Sequence, residues 1–227
     1  MAHKTLFAGM LTALGFAIAS PAHAVFIGNT QGETDFPQGA ISFADTLISL
    51  TYTASIPSVP HQGGSNALGL PNYAGVNSCA SQAGCTFVSL GSGGSIVLRF
   101  DDNKLTGSGS NALDIWVFEV GPNVEDTFVD ISKDGVTWSS VGKVFGSTAG
   151  IDIDAFGFTA ADLFGFVRLT DDPNEGGGGV GGTVGADIDA VGAISTVPTV
   201  TVVPEPASLA LLGIGLAGLG AMLRRKV

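Results

Sequence analysis

Acidic residues gather in the last third of this chain at spacings that suit cation binding. Asp187 and Asp189 flank Ile188, so in an extended segment both carboxylates project from one face. Two charges so placed are unfavourable in a strand unless something neutralises them, and Ca²⁺, which accepts carboxylate and carbonyl oxygens in an adaptable shell, would do so. Asp171, Asp172 and Glu175 in the preceding loop, with Glu119 at a strand end, would complete an oxygen cage, and Asp152-Ile153-Asp154 is a second candidate pair. No stretch matches an EF-hand loop, because Asp172-Pro173-Asn174-Glu175-Gly176 lacks its ligand spacing. The competing reading is of solvated acids and side-chain caps on turns. Acids this plentiful could also include the opposed pair that hydrolyses a glycosidic bond.

Other catalytic chemistry is poorly provided for. Ser-His-Asp and Cys-His devices need an imidazole base, and of the three histidines only His61 lies beyond the N-terminal leader. Flanked by Pro60 and Gln62-Gly63-Gly64, it is expected in a mobile loop, a poor place for a triad. There is no HExxH motif, no GxSxG elbow and no P-loop; the glycine-rich runs 91–94 and 176–182 lack the following Lys-Ser/Thr that engages phosphate. Cys79 and Cys85 stand six positions apart in CASQAGC. In an exported chain they are expected to form a local disulfide; a zinc site, the alternative, would need ligands beyond His61.

The elements that must position these residues read as strands separated by Gly, Asp and Asn turns, with no convincing amphipathic helix. Ser95–Phe100, Leu113–Glu119, Phe128–Lys133, Phe164–Leu169 and Ala186–Ile194 are rich in branched and aromatic residues. Asp134-Gly135 between Phe128–Lys133 and Val136–Ser140 predicts a two-residue hairpin turn with Trp138 paired back across the ladder. Many short strands predict an all-β chain, a β-sandwich or jelly roll over 66–195. Residues 25–65 are expected to form an N-terminal extension or first strands, and 196–203 a spacer.

Both ends carry addresses. Lys4, the apolar stretch Leu6–Ala19 and the small-x-small site Ala22-His23-Ala24 read as a signal peptide over 1–24, with maturation at Val25. At the other end, Pro204-Glu205-Pro206 precedes an apolar run of 17 residues, 207–223, just long enough to cross a hydrocarbon core of about 30 Å as one transmembrane helix. Arg224, Arg225 and Lys226 then act as a cytoplasmic stop that leaves the body of the protein outside. Removing Lys4 and these three cations from 9 bases, and Glu205 from 20 acids, leaves 19 acids against 5 bases, near −14, in the segment between the addresses. Such a surface repels nucleic acid and anionic lipid and attracts cations.

The order Val203-Pro204-Glu205-Pro206-Ala207-Ser208, helix and basic tail resembles the PEP-CTERM sorting signal of exported proteins in Gram-negative bacteria. That resemblance implies recognition by an exosortase, an inner-membrane-anchored precursor, and a final place at the cell surface or outside the cell. FVSLGSGGSIVLRF, LDIWVFEVG, VDISKDGVTWSSVG, FVRLTD and GADIDAVGAI resemble domains of bacterial surface proteins related in appearance to the galactose-binding-like or discoidin-like β-sandwich. The resemblance implies a non-catalytic, carbohydrate-binding or adhesive protein of the extracellular polysaccharide matrix or biofilm, with a structural Ca²⁺. An extracellular polysaccharide hydrolase or lyase is the alternative.

Overall fold

In the computed structural model, residues 24–29, 32–75, 79–121, 123–175 and 182–197 are described. The fold is all-β. A hairpin of β1 (Val25–Asn29) and β2 (Gly32–Phe36) precedes two larger sheets. One sheet takes β3 (Thr46–Thr51), β5 (Ser95–Arg99), β7 (Thr127–Ser132), β8 (Ser139–Val144) and β10 (Phe166–Asp171). The other takes β4 (Val88–Ser89), β6 (Ile115–Glu119), β9 (Thr148–Ile151) and β11 (Asp187–Ala193). In space the five strands run in the order β3-β5-β10-β7-β8, and the four in the order β4-β11-β6-β9. All pairings are antiparallel, and from β3 to β11 every connection but β7–β8 crosses between sheets, as in a jelly roll.

Alternation in the strands makes the core. β5 turns Ile96 and Leu98 inward, β7 Val129 and Ile131, and β10 Val167 and Leu169. They meet Ile115 and Val117 of β6, Ile151 of β9, and Ile188 and Val191 of β11 from the facing sheet. β6 is buried on both faces because its other side, Trp116 and Phe118, is covered in turn. The cover is the β1–β2 hairpin, whose Phe36 packs on Phe43 and Phe118 with ring centroids 4.7 and 5.9 Å away. Gly192 of β11 leaves room for this contact, since a Cβ there would stand 2.6 Å from Phe36 and 2.8 Å from Phe43 and the rings would have to shift.

Two expectations are corrected. The sandwich does not begin at residue 66: β3 is an edge strand of the five-stranded sheet, in register with β5 from Thr46↔Arg99 to Thr51↔Ser95. Asp134-Gly135 turns the chain, but not as a two-residue hairpin. Gly135 takes φ +75° while among the described residues, Asp134 included, no non-glycine residue has positive φ, so the paired turn geometry that Asp134 would need is absent. Instead the Asp134 carboxylate accepts the Val136 and Thr137 N–H groups, each at 2.8 Å, and β8 starts only at Ser139. Those hydrogen bonds hold the Asp134 carboxyl down at about 2. Trp138 therefore lies in the turn, its ring centroid 4.7 Å from the guanidinium carbon of Arg168, whose Nε and Nη2 donate to Asp130.

Among the described residues no helix is long and apolar enough to cross a membrane. The expected span 207–223, the Pro204-Glu205-Pro206 motif, the Arg224, Arg225, Lys226 stop and Ala22 lie outside the described residues; Ala24 is exposed immediately before β1. Of the expected spacer, Thr196 bridges Leu105, and Val197 exchanges backbone hydrogen bonds with Lys104 at 2.9 and 3.0 Å.

Candidate functional site

The candidate site lies at the end of the sandwich where β6 runs into β7 and β10 into β11. Inward alternation carries Glu119 after Ile115 and Val117, and Asp171 after Val167 and Leu169, so both acids prolong core-facing rows. Directly across the ladder from Asp171 stands Thr127, the first residue of the inward row Thr127, Val129, Ile131. Asp187 opens β11, and Glu125 comes from the β6–β7 connection. Glu119, Glu125, Thr127, Asp171 and Asp187 are all at most 5% exposed.

The electrostatics follow from burial without compensation. Desolvation, then the neighbouring Glu125 and Asp187, push the Glu119 carboxyl up to about 10; only Asp187 N–H, at 3.4 Å, and the Glu125 backbone oppose it. Desolvation and Asp171 raise Glu125 to about 7, and desolvation above all raises Asp187 to about 7 although the Ser89 hydroxyl donates to it. Asp171 is also raised by desolvation, against hydrogen bonds from Gly93 N–H at 2.8 Å and Ala186 N–H at 2.7 Å. Among the described residues no lysine or arginine pairs with Glu119, Glu125, Asp171 or Asp187.

The expected metal set is thus divided. Glu119, Asp171 and Asp187 are buried at the same end of the sandwich, but among the described residues their carboxylate oxygens do not converge within 4.8 Å as a group, and Asp189 and Asp172 go elsewhere. A β-bulge between Ile188 and Ala190 turns Asp189 out of the alternation, so Asp187 and Asp189 do not share a site. Asp189 caps the backbone instead, accepting N–H groups of Asn72 and Tyr73 at 3.1 and 3.2 Å, and burial raises it to about 6. Asp172 accepts Asn174 N–H and, with Asp126, holds the Lys143 ammonium at 3.0 and 2.8 Å; these partners lower it. Glu125 and Thr127 were not visible as site residues, because nothing in the spacing of a loop acid and a strand threonine marks them; ladder register places Thr127 across from Asp171, and Glu125 arrives from the connection before β7.

The second acid pair behaves differently. Asp152 and Asp154 join Asp114, their oxygens within 4.8 Å of one another. Protein groups already engage them: Asp114 receives the Ser195 hydroxyl at 2.7 Å and Ile153 N–H at 2.9 Å, Asp152 receives Asp154 N–H, and Asp154 receives Ser108 and Gly109 N–H groups. His61, expected in a mobile loop, is buried in a short 3-10 turn, Val59–Gln62, its Nδ1 3.0 Å from the Ser58 hydroxyl and its pKa lowered by desolvation. Cys79 and Cys85 beside it are joined as a disulfide, which removes the thiolates that zinc would require.

Above Glu119 the surface opens into a depression of about 460 Å³ lined by Gly28, Tyr73, Glu119, Val120, Gly121, Ser147 and Thr148. Tyr73 stands edge-on to Phe87, centroids 5.7 Å apart, with 38% of its surface exposed. Gly121 marks the boundary between depression and acids, since a Cβ there would lie 2.9 Å from Asp187 Oδ2. Trp116, by contrast, is core.

Residues 202–226 match the family model described as the PEP-CTERM protein-sorting motif. The chain is therefore an exported protein, addressed by an exosortase-recognised motif to the cell envelope or surface. No curated protein matches it. Among solved structures it is similar to the C-terminal domain of a chitobiase from Bacteroides fragilis, at 15% identity and a TM-score of 0.29, over 44% of this chain. The match spans 61% of that domain, and a likeness this slight carries no argument about function.

Proposed function

We propose that this exported protein is a non-catalytic surface module that binds extracellular polysaccharide in the depression beside Tyr73. The observation that carries this reading is the lining: an exposed aromatic ring, the hydroxyl side chains Ser147 and Thr148, and the small residues Gly28 and Gly121 on one open surface. Sugars are held by aromatic faces and convergent hydrogen-bonding groups of this kind, and the volume suits one or two sugar rings. The negative charge favours neutral or cation-bridged polymers over anionic ones. In the precursor, 207–223 would anchor the chain in the inner membrane until an exosortase acts near Pro204-Glu205-Pro206.

The alternative, a polysaccharide hydrolase, calls for two carboxylates facing each other across an open cleft at a separation of about 5–9.5 Å. The depression offers Glu119 alone, and the acids near it are buried with it rather than opposed to it. That supports binding over hydrolysis. A glycan array probed with the exported protein should reveal a neutral-polysaccharide ligand, and Tyr73→Ala should weaken it at least tenfold while the melting temperature stays within a few degrees. Absence of any bound glycan, equal binding by the variant, or release of reducing ends from a bound polymer would each sink the reading.

A further inference from the structure

One cluster of side chains carries ligand chemistry that polysaccharide binding does not use. The sulfurs of Cys79 and Cys85 and a ring nitrogen of His61 lie within 4.8 Å of one another, and all three residues are at most 8% exposed. The chain has two cysteines, and His61 is its one histidine beyond the leader, so every thiol and imidazole donor of the exported protein stands at this point. Two segments distant in sequence meet to place them there. The turn Val59–Gln62 carries His61 inward with Nδ1 3.0 Å from the Ser58 hydroxyl, and the Phe87 ring just after Cys85 packs on the imidazole, centroids 5.4 Å apart. Phe87 also meets Tyr73, and Val120 packs on the Cys79, Cys85 and Phe87 cluster, so these donors lie directly behind the depression.

Joined as a disulfide, the two sulfurs bind no metal. We propose that opening the disulfide converts this cluster into a zinc site, with the Cys79 and Cys85 thiolates and the His61 imidazole as ligands and water in the fourth position. A dithiol reductant supplies the first step: its own thiols are oxidised to a disulfide, while the Cys79–Cys85 bond breaks, takes up two electrons and two protons, and leaves two thiols. Zn²⁺ then displaces both thiol protons as two Zn–S bonds and one Zn–N bond form. Two thiolates neutralise Zn²⁺, so the complex buries no net charge, which the depth of these residues requires. Thiolate and imidazole donors select zinc over Ca²⁺ and Mg²⁺. Burial keeps His61 in the neutral form that ligates, and the Ser58 hydroxyl fixes the orientation of its ring. Disulfide and metal are thus alternative clasps on one short loop, and the choice between them follows the redox state of the compartment.

The test is calorimetric titration of Zn²⁺ into the untagged exported protein, reduced with a phosphine in the absence of air, beside the same titration of the oxidised protein. No glycan is present, so the result is independent of the polysaccharide reading. One zinc per reduced chain is expected, bound at least a hundredfold more tightly than by the oxidised protein, and X-ray absorption should place two sulfurs about 2.3 Å from the metal. Cys79→Ser should abolish binding, and His61→Asn should weaken it at least tenfold while circular dichroism shows the wild-type fold. Should His61→Asn fail to fold, Ser58→Ala, which keeps all three ligands but frees the ring, takes its place and should weaken binding about tenfold. No zinc bound by the reduced protein, equal binding by the oxidised protein, a metal shell without sulfur, or unchanged affinity in the folded histidine variant or its substitute would overturn the assignment.

Discussion

Phe36→Ala tests whether the N-terminal hairpin belongs to the cooperative domain. Phe36 has no exposed surface and packs on Phe43 and Phe118, with Gly192 clearing space beneath it. Truncating a fully buried phenylalanine costs about 3–5 kcal/mol. The hairpin is peripheral, with Val25 and Ile27 only partly buried, so its neighbours can relax into the gap, and about 3 kcal/mol is expected. For a domain of this size, that lowers the melting temperature by roughly 6–12 °C. Urea unfolding followed by circular dichroism gives the stability change, and fluorescence of Trp116, which the hairpin covers, reports local detachment. A loss below about 1 kcal/mol would refute the packing argument. A shifted Trp116 signal with an unchanged global midpoint would show that the hairpin is a lid outside the cooperative unit. Because Gly28 of the hairpin lines the Tyr73 depression, glycan affinity should fall along with stability.

Four further outcomes follow from particular groups. In EDTA, stability should fall as pH rises from 6.5 to 8: Glu125 and Asp187, raised to about 7, keep protons in the native state that the unfolded chain has released, a contribution complete below the ordinary carboxylate range and lost through their folded values. His61, lowered from 6.5, acts oppositely only at lower pH, so a urea midpoint that rises over this interval contradicts the burial of these acids. Cys79→Ser with Cys85→Ser opens a short loop with a sequence separation of 6 and should cost about 2 kcal/mol, and non-reducing mass spectrometry of the wild-type protein should show the cross-linked peptide. Gly192→Val should cost about 1–3 kcal/mol by overpacking Phe36 and Phe43, and a neutral effect would count against the close approach. Replacing Pro204-Glu205-Pro206 with alanines should leave full-length protein in the membrane fraction, and normal release into the medium would remove exosortase processing.

Where local pattern decided structure, the sequence was legible. Ser95–Arg99, Ile115–Glu119, Phe166–Asp171 and Asp187–Ala193 alternate or run apolar as strands must, and all four form. β4, with two residues, and β9, Thr148-Ala149-Gly150-Ile151, have too little pattern of their own; they pair because β11 and β6 present edges to them. β8 was displaced because Asp134 found backbone partners that a tight hairpin would have denied it. The same distinction governs the site. Periodicity predicted Asp187 and Asp189 on one face, and a single bulged residue undid it, whereas Thr127 enters only through the pairing of β7 with β10 and Glu125 through the loop that precedes it.

What distinguishes the acids of this chain from one another is where their second oxygens go. With 20 acids against 9 bases, few carboxylates can find a side-chain cation, so most that leave water must be met by backbone N–H groups. Asp154 meets that demand in the loop at Ser108 and Gly109, Asp189 in the loop at Asn72 and Tyr73, and Asp134 within its own turn. Each of these loops is shaped around its acid, and replacing the acid should loosen the loop. Glu119 and Glu125 depart from this: Glu119 accepts one long hydrogen bond, from Asp187 N–H at 3.4 Å, and the Oε2 atoms of both are buried and unmet, in a region where hydrophobic residues of equal volume would be more stable. Replacing them with glutamine should therefore leave the domain as stable or more stable, the opposite of what substitution at Asp154 or Asp189 does. That opposition of sign, read by urea unfolding, separates acids that the fold buries at a cost from acids around which its loops are built.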